Sequence, residues 1–211
     1  ARLVRVNLAR CNLGNIRLKG AVLAKSNLSG ADLAGINLNG ADLTGANLTG
    51  INLEEADLGS AGLSWAVMAN ANMRKANLAG AQLDNSDLSG ARMIWTNLEG
   101  AVLKNTCLRK AKMEGARLIG VDLTGADIQG ASLNQANLSE ARLQNANLIN
   151  TNLRDANFHK AGLQGANLNS ADLTKANLDG AALESAELTN ADLAGARIER
   201  KWKKMLERQR V

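Results

Sequence analysis

The chain has 211 residues, with 20 glycines, no proline or tyrosine, a single phenylalanine and a formal net charge of +5. So few aromatic side chains exclude an ordinary globular core, which draws much of its buried area from them. No apolar run approaches the roughly 18 residues of a membrane-spanning helix and no secretory leader is visible, while Ala1 falls on a repeat boundary, as expected of a chain processed or excised from a longer one.

From Leu3 a hydrophobic residue recurs every five positions, without a slip, as far as Ile198. Leucine fills all of these centres except Met68, Met73, Met93, Met113, Ile128, Phe158 and Ile198. Such a beat fits neither regular structure. On an α-helix five residues turn through about 500°, so the centres would line no face. On a strand an odd step would send successive centres to opposite sides. The backbone must therefore change direction inside each unit, with a short extended piece followed by a corner.

The other positions of the unit support this reading. Two residues before each centre stands alanine, or a small or aliphatic substitute such as Cys11, Ile51, Ser86 or Thr106. The residue directly before the centre is Asn or Asp in 23 of the 40 units, so that column predicts short side chains bonding to nearby backbone. Two residues after the centre, 16 glycines and 7 asparagines occupy the corners, as a turn with a positive φ at its third position requires. The corner glycines Gly20, Gly40, Gly80, Gly100, Gly120 and Gly180 give a weak 20-residue echo, consistent with four sides per coil.

Most outward positions are polar, with exceptions. Trp65 and Trp95 occupy corners, Ile94 precedes Trp95 and Val67 follows Trp65. These four residues are the candidate partner contacts, because exposed tryptophans are enriched where proteins bind one another. With four sides, the two tryptophans fall on opposite corners and form separate patches. Val22, Val102, Ile119 and Ile149 are further apolar residues in outward slots.

Chemistry is hard to find along the chain. Cys11 sits in a small inward slot and Cys107 in the outward slot before a centre, where an exposed thiol is expected. Nearly five 20-residue coils would hold them about 24 Å apart at the usual strand spacing, far beyond the roughly 7 Å a disulfide can bridge. Two unpaired thiols favour a reducing, cytoplasmic setting. His159, the only histidine, reads as a solvated surface residue without a nucleophile or second ligand at a suitable spacing. No catalytic, cofactor or metal constellation emerges, so an enzyme is not expected.

The charge is concentrated at the end. Residues 1–200 hold 20 Lys and Arg against 19 Asp and Glu, whereas KWKKMLERQRV at 201–211 holds five basic residues and one acidic. Ile198, Trp202, Met205 and Leu206 follow helical spacing, so a short amphipathic helix, starting between 197 and 201, is expected to cover the end of the repeat. The same stripe is compatible with a dimer contact through that end. One helix with one tryptophan argues poorly for a membrane surface or nucleic acid.

Units such as ADLAG, ADLTG and ANLTG resemble those of the pentapeptide repeat family, over about 200 residues. The resemblance implies an all-β fold, a right-handed quadrilateral parallel β-helix of about ten four-sided coils. It also implies a non-enzymatic scaffold that offers a rigid surface to a protein partner, as in many bacterial and especially cyanobacterial members. The alternative within the family is a DNA-mimicking protein that protects gyrase. Those members are strongly acidic and favour Phe at the centre; here the repeat is close to neutral and only Phe158 is a central Phe.

Overall fold

The computed structural model describes residues 1–13 and 16–202. Each pentad contributes one short extended side and one two-residue corner, and every β-bridge among the described residues is parallel and joins positions 20 apart, such as Asn27 to Asn47 and Asn47 to Val67. Four pentads therefore make one coil. The first side stacks the column from Arg2 to Ala182, the second Asn7 to Glu187, the third Asn12 to Asp192, and the fourth is bridged from Asn37 to Arg197.

Backbone hydrogen bonding explains the five-residue grammar. The central residue donates its N–H to the next coil (Leu28 to the Asn47 carbonyl, 2.8 Å), and so does the corner residue (Gly30 to Thr49, 2.9 Å). The residue before the centre donates back to the previous coil (Asn27 to Val6, 2.9 Å), and the next inward residue closes the turn (Ala31 to Leu28, 3.0 Å). One N–H per pentad is left over, that of the residue after the centre. The Asn or Asp two residues earlier accepts it, as Asn27 does from Ser29 (3.1 Å) and Asp42 from Thr44 (3.0 Å). A buried amide without a partner is costly, which gives the Asn/Asp column its structural reason. Many of its Asn side chains also donate to the preceding coil, as Asn72 does to Asn52 (3.0 Å) and Asn97 to Asn77 (3.1 Å).

Inside, the centres and the alanine column pack as one continuous core; Leu88, Met93 and Phe158 are wholly buried. Each Leu of this kind contributes about 1.5–3 kcal/mol by leaving water. Polar residues in the inward slots are satisfied without disturbing the tube: Thr96, Thr106 and Thr151 donate to the carbonyls of Met73, Leu83 and Ile128 at 2.8–3.1 Å.

The corners depart from the composition-based expectation. Every described corner from Arg5 to Asn190 or Gly195 has φ between +53° and +72°, whether or not it carries Gly or Asn. Lys75, Glu140, Trp65 and Trp95 adopt the same left-handed geometry as Gly35. The inter-coil ladder imposes the bend and overrides a local cost of about 1–2 kcal/mol per non-glycine residue.

At the C-terminal end a helical turn occupies 200–202. Ile198 packs against the core and Trp202 is buried, its Nε1 donating to the Ala181 carbonyl at 3.0 Å, so the ring lies across the last coil. Met205 and Leu206 lie outside the described residues.

Two substitutions test this construction by equilibrium denaturation. Leu88→Ala is expected to destabilise the rod by about 2–5 kcal/mol, because the cavity cannot collapse between fixed coils. Gly35→Ala, whose new Cβ would meet nothing within 4 Å, isolates the corner strain and should cost about 1 kcal/mol.

Candidate interaction surface

A rod of this kind presents two environments to solvent. Residues on the sides are flanked by their column neighbours about 4.8 Å above and below, so most are half-buried; residues at the corners stand free. This corrects two expectations. Cys107, on the second side between Asp87 and Asp127, is half-buried and not an exposed thiol, and His159, which directly precedes a corner residue, is also half-buried. Cys11 and Cys107 are both free. Among the described residues no group of three His, Cys, Asp or Glu could hold a metal ion, and no helix is long and apolar enough to cross a membrane.

The corner tryptophans are the most exposed large apolar residues, Trp65 at 64% and Trp95 at 59%, and Val67 is exposed beside Trp65 at 41%. Ile94 is half-buried, as are Val22, Val102, Ile119 and Ile149. The 20-residue register puts Trp65 and Trp95 on opposite corners, one and a half coils apart, so Trp65 with Val67 and Trp95 with Ile94 make two separate patches. Trp95 lies flat against the next corner of its column: a Cβ on Gly115 would overlap its ring. Corner side chains lean this way repeatedly. The Cγ atoms of Arg10 and Lys25 lie 3.5 and 3.6 Å from where a Cβ would stand on Gly30 and Gly45.

Charged side chains pair across coils. Lys75 meets Glu55 at 2.9 Å, Arg117 meets Glu99 at 2.8 Å, and Arg197 meets Asp179. These exposed pairs add little stability individually. Asp122 is different, because it is buried on the first side. Arg142 reaches it from the next coil at 2.8 Å and Lys104 at 3.3 Å, while Thr124 donates both its hydroxyl (2.6 Å) and its amide (3.1 Å). Burial alone would raise its pKa, but the Thr124 hydrogen bonds and the two cations more than offset that and hold it below the usual carboxylate value. Sequence reading passed over this cluster; a lone Asp in a column otherwise holding Val102 and Arg142 was the available signal.

The model of the family of pentapeptide repeats matches in eight copies, with segments that run from 1–40 to 166–200. The chain belongs to the pentapeptide repeat family. Among solved structures it is similar to HetL, a pentapeptide repeat protein involved in heterocyst differentiation regulation from the cyanobacterium Nostoc sp. strain PCC 7120, with 33% identity, 92% of this chain and 87% of HetL covered, and a TM-score of 0.54. It is also similar in fold to full-length QnrB1, a plasmid-mediated fluoroquinolone resistance protein, at 19% identity, 99% coverage of both chains and a TM-score of 0.70. No curated protein matches significantly.

The Asp122 cluster yields a pH prediction. Its folded pKa is depressed, so its contribution is present above the unfolded value of about 3.9 and disappears as pH falls through the folded one. Asp122→Asn should cost about 1–3 kcal/mol at neutral pH. Denaturation from pH 8 downward should find that difference constant to about pH 5 and shrinking below about pH 4.

Proposed function

We propose that the chain is a right-handed, four-sided rod of about ten coils, capped at its C-terminal end by the helix that begins at Arg200, and that it serves as a non-enzymatic scaffold for a protein partner. The observation that carries this reading is the presence of two tryptophans at strained, exposed corners. Trp65 and Trp95 have φ of 63° and 58°, a conformation that bulky residues rarely adopt and that glycine fills elsewhere in the rod. The sequence thus bears a local cost to hold large apolar rings in solvent on a rigid frame, and tryptophan is prominent among residues that dominate protein interfaces. The interior supports a non-catalytic role: it is filled by Leu, Met and Ala side chains at close packing, leaving the outside to do the work. HetL, the 33% identical relative, is described as involved in regulation, which supports a regulatory contact in place of a reaction.

Gyrase protection by imitation of DNA requires an acidic rod to stand in for phosphates. Residues 1–200 hold nearly equal numbers of basic and acidic side chains, so the electrostatic motive is missing, and the likeness to QnrB1 supports the fold alone.

Two assays separate these readings. In a gyrase supercoiling reaction inhibited by a fluoroquinolone, equimolar rod should leave inhibition unchanged; restored supercoiling would reverse the ranking. In affinity capture, Trp65→Ala/Trp95→Ala should lose a protein retained by the native rod, and an unchanged set of retained proteins would clear both tryptophans.

A further inference from the structure

The near-neutral total conceals a strong polarity. Residues 1–31 contain six basic side chains, Arg2, Arg5, Arg10, Arg17, Lys19 and Lys25, and no Asp or Glu, whereas residues 32–200 hold 14 basic against 19 acidic. All six are exposed, and none forms an ion pair among the described residues.

The register aligns two of these cations with one of the tryptophans. The corner between the first and second sides runs Arg5, Lys25, Gly45, Trp65, one residue per coil, so the line spans roughly 14 Å at the usual strand spacing. Gly45 leaves a gap over which the Lys25 side chain leans, its Cγ 3.6 Å from the Cβ that a larger residue would have. Lys25 therefore points along the edge toward Trp65. Exposed Val67 continues the apolar patch onto the second side. Past Trp65 the sign changes: Asp84 precedes the next corner and Asp87 follows on the second side.

We infer that this edge is a docking site for an acidic segment of a partner protein, one whose carboxylates meet Arg5 and Lys25 and whose adjoining apolar residues cover Trp65 and Val67. This rests on the scaffold reading above and names its surface and partner chemistry. The pattern suits a protein segment better than a nucleic acid. Two cations followed by an apolar patch match a segment that changes character along its length, while Asp84 and Asp87 would repel a phosphate backbone continuing in the same direction. The sign change also fixes orientation, with the acidic end of the segment toward the N-terminal coils.

The test uses the full chain and a fluorescein-labelled peptide with glutamates at one end and leucines at the other, followed by fluorescence anisotropy. The native rod should bind it, and Arg5→Glu/Lys25→Glu should weaken binding at least tenfold, with a loss of comparable size on raising salt. Trp65→Ala should weaken it about fivefold or more. Lys175→Glu, on the opposite corner, should leave binding within about twofold, so general charge attraction is separated from the edge. Unaltered melting of each variant guards against misfolding. Equal binding by native and Arg5→Glu/Lys25→Glu rods, or no peptide binding at all, would overturn the proposal. So would a preference for a single-stranded oligonucleotide or for phosphatidylserine vesicles over the peptide. If the native rod captures a protein and Arg5→Glu/Lys25→Glu captures it undiminished, this edge is wrong while the scaffold stands; if the native rod captures none, the scaffold reading itself fails.

Discussion

The structure depends on one repeated hydrogen bond, from the N–H of each central residue to the carbonyl 19 positions ahead, as from Leu48 to Val67 at 2.7 Å. Because it recurs on all four sides, it fixes the coil at 20 residues and each side at five. A single inserted residue would turn every later centre outward and misplace every later bond. The uninterrupted register from Leu3 to Ile198 is therefore a physical requirement of the ladder, and the leucine core follows from it. The centres are the positions that this ladder directs inward.

The ladder also explains what could and could not be read from the sequence. The tube, its inward alanines and its Asn/Asp column were legible because each follows from accounting for one donor or one inward slot per pentad. The number of sides was barely legible: the bridges that set it lie 20 residues apart, and only a weak glycine echo reports them. The corners were half legible. Gly and Asn marked 23 of 40, but Lys75, Glu140 and Trp65 bend identically, because long-range bonds on either side outweigh local preference. Asp122 was illegible for a related reason. Its partners Lys104 and Arg142 lie 18 and 20 residues away, and nothing local announces a buried carboxylate.

A ladder that holds the backbone this firmly frees the outward residues from folding duties, particularly at corners. Side positions still touch their column neighbours, which is why Cys107, His159 and Ile94 are half-buried whatever their chemistry. Corner positions touch less, and there the choice of residue is close to a choice of surface. Glycine is the least strained answer. Where Trp65, Trp95, Lys25 or Arg5 stands instead, the left-handed backbone charges a conformational cost that no interior packing returns. Such corners are the places to look for function.

Charge follows the same logic of columns, and its total is a poor guide. In the body of the rod, Arg74, Lys75, Arg109, Arg117, Arg142, Arg154 and Arg197 each face a carboxylate one coil away. That neutralises the surface locally and leaves little field beyond a Debye length of about 8–10 Å. The first coil and a half lacks any carboxylate, so its cations keep their field. A partner approaching the rod meets an almost uncharged shaft with one positive end, and steering acts only at that end. Of the two tryptophan patches, only Trp65 shares a corner with unpaired cations from that end. Trp95 shares its corner with the Lys75–Glu55 pair. The two patches are alike in exposure and strain, yet the field favours Trp65, so the rod offers its partner one preferred edge and one direction along it.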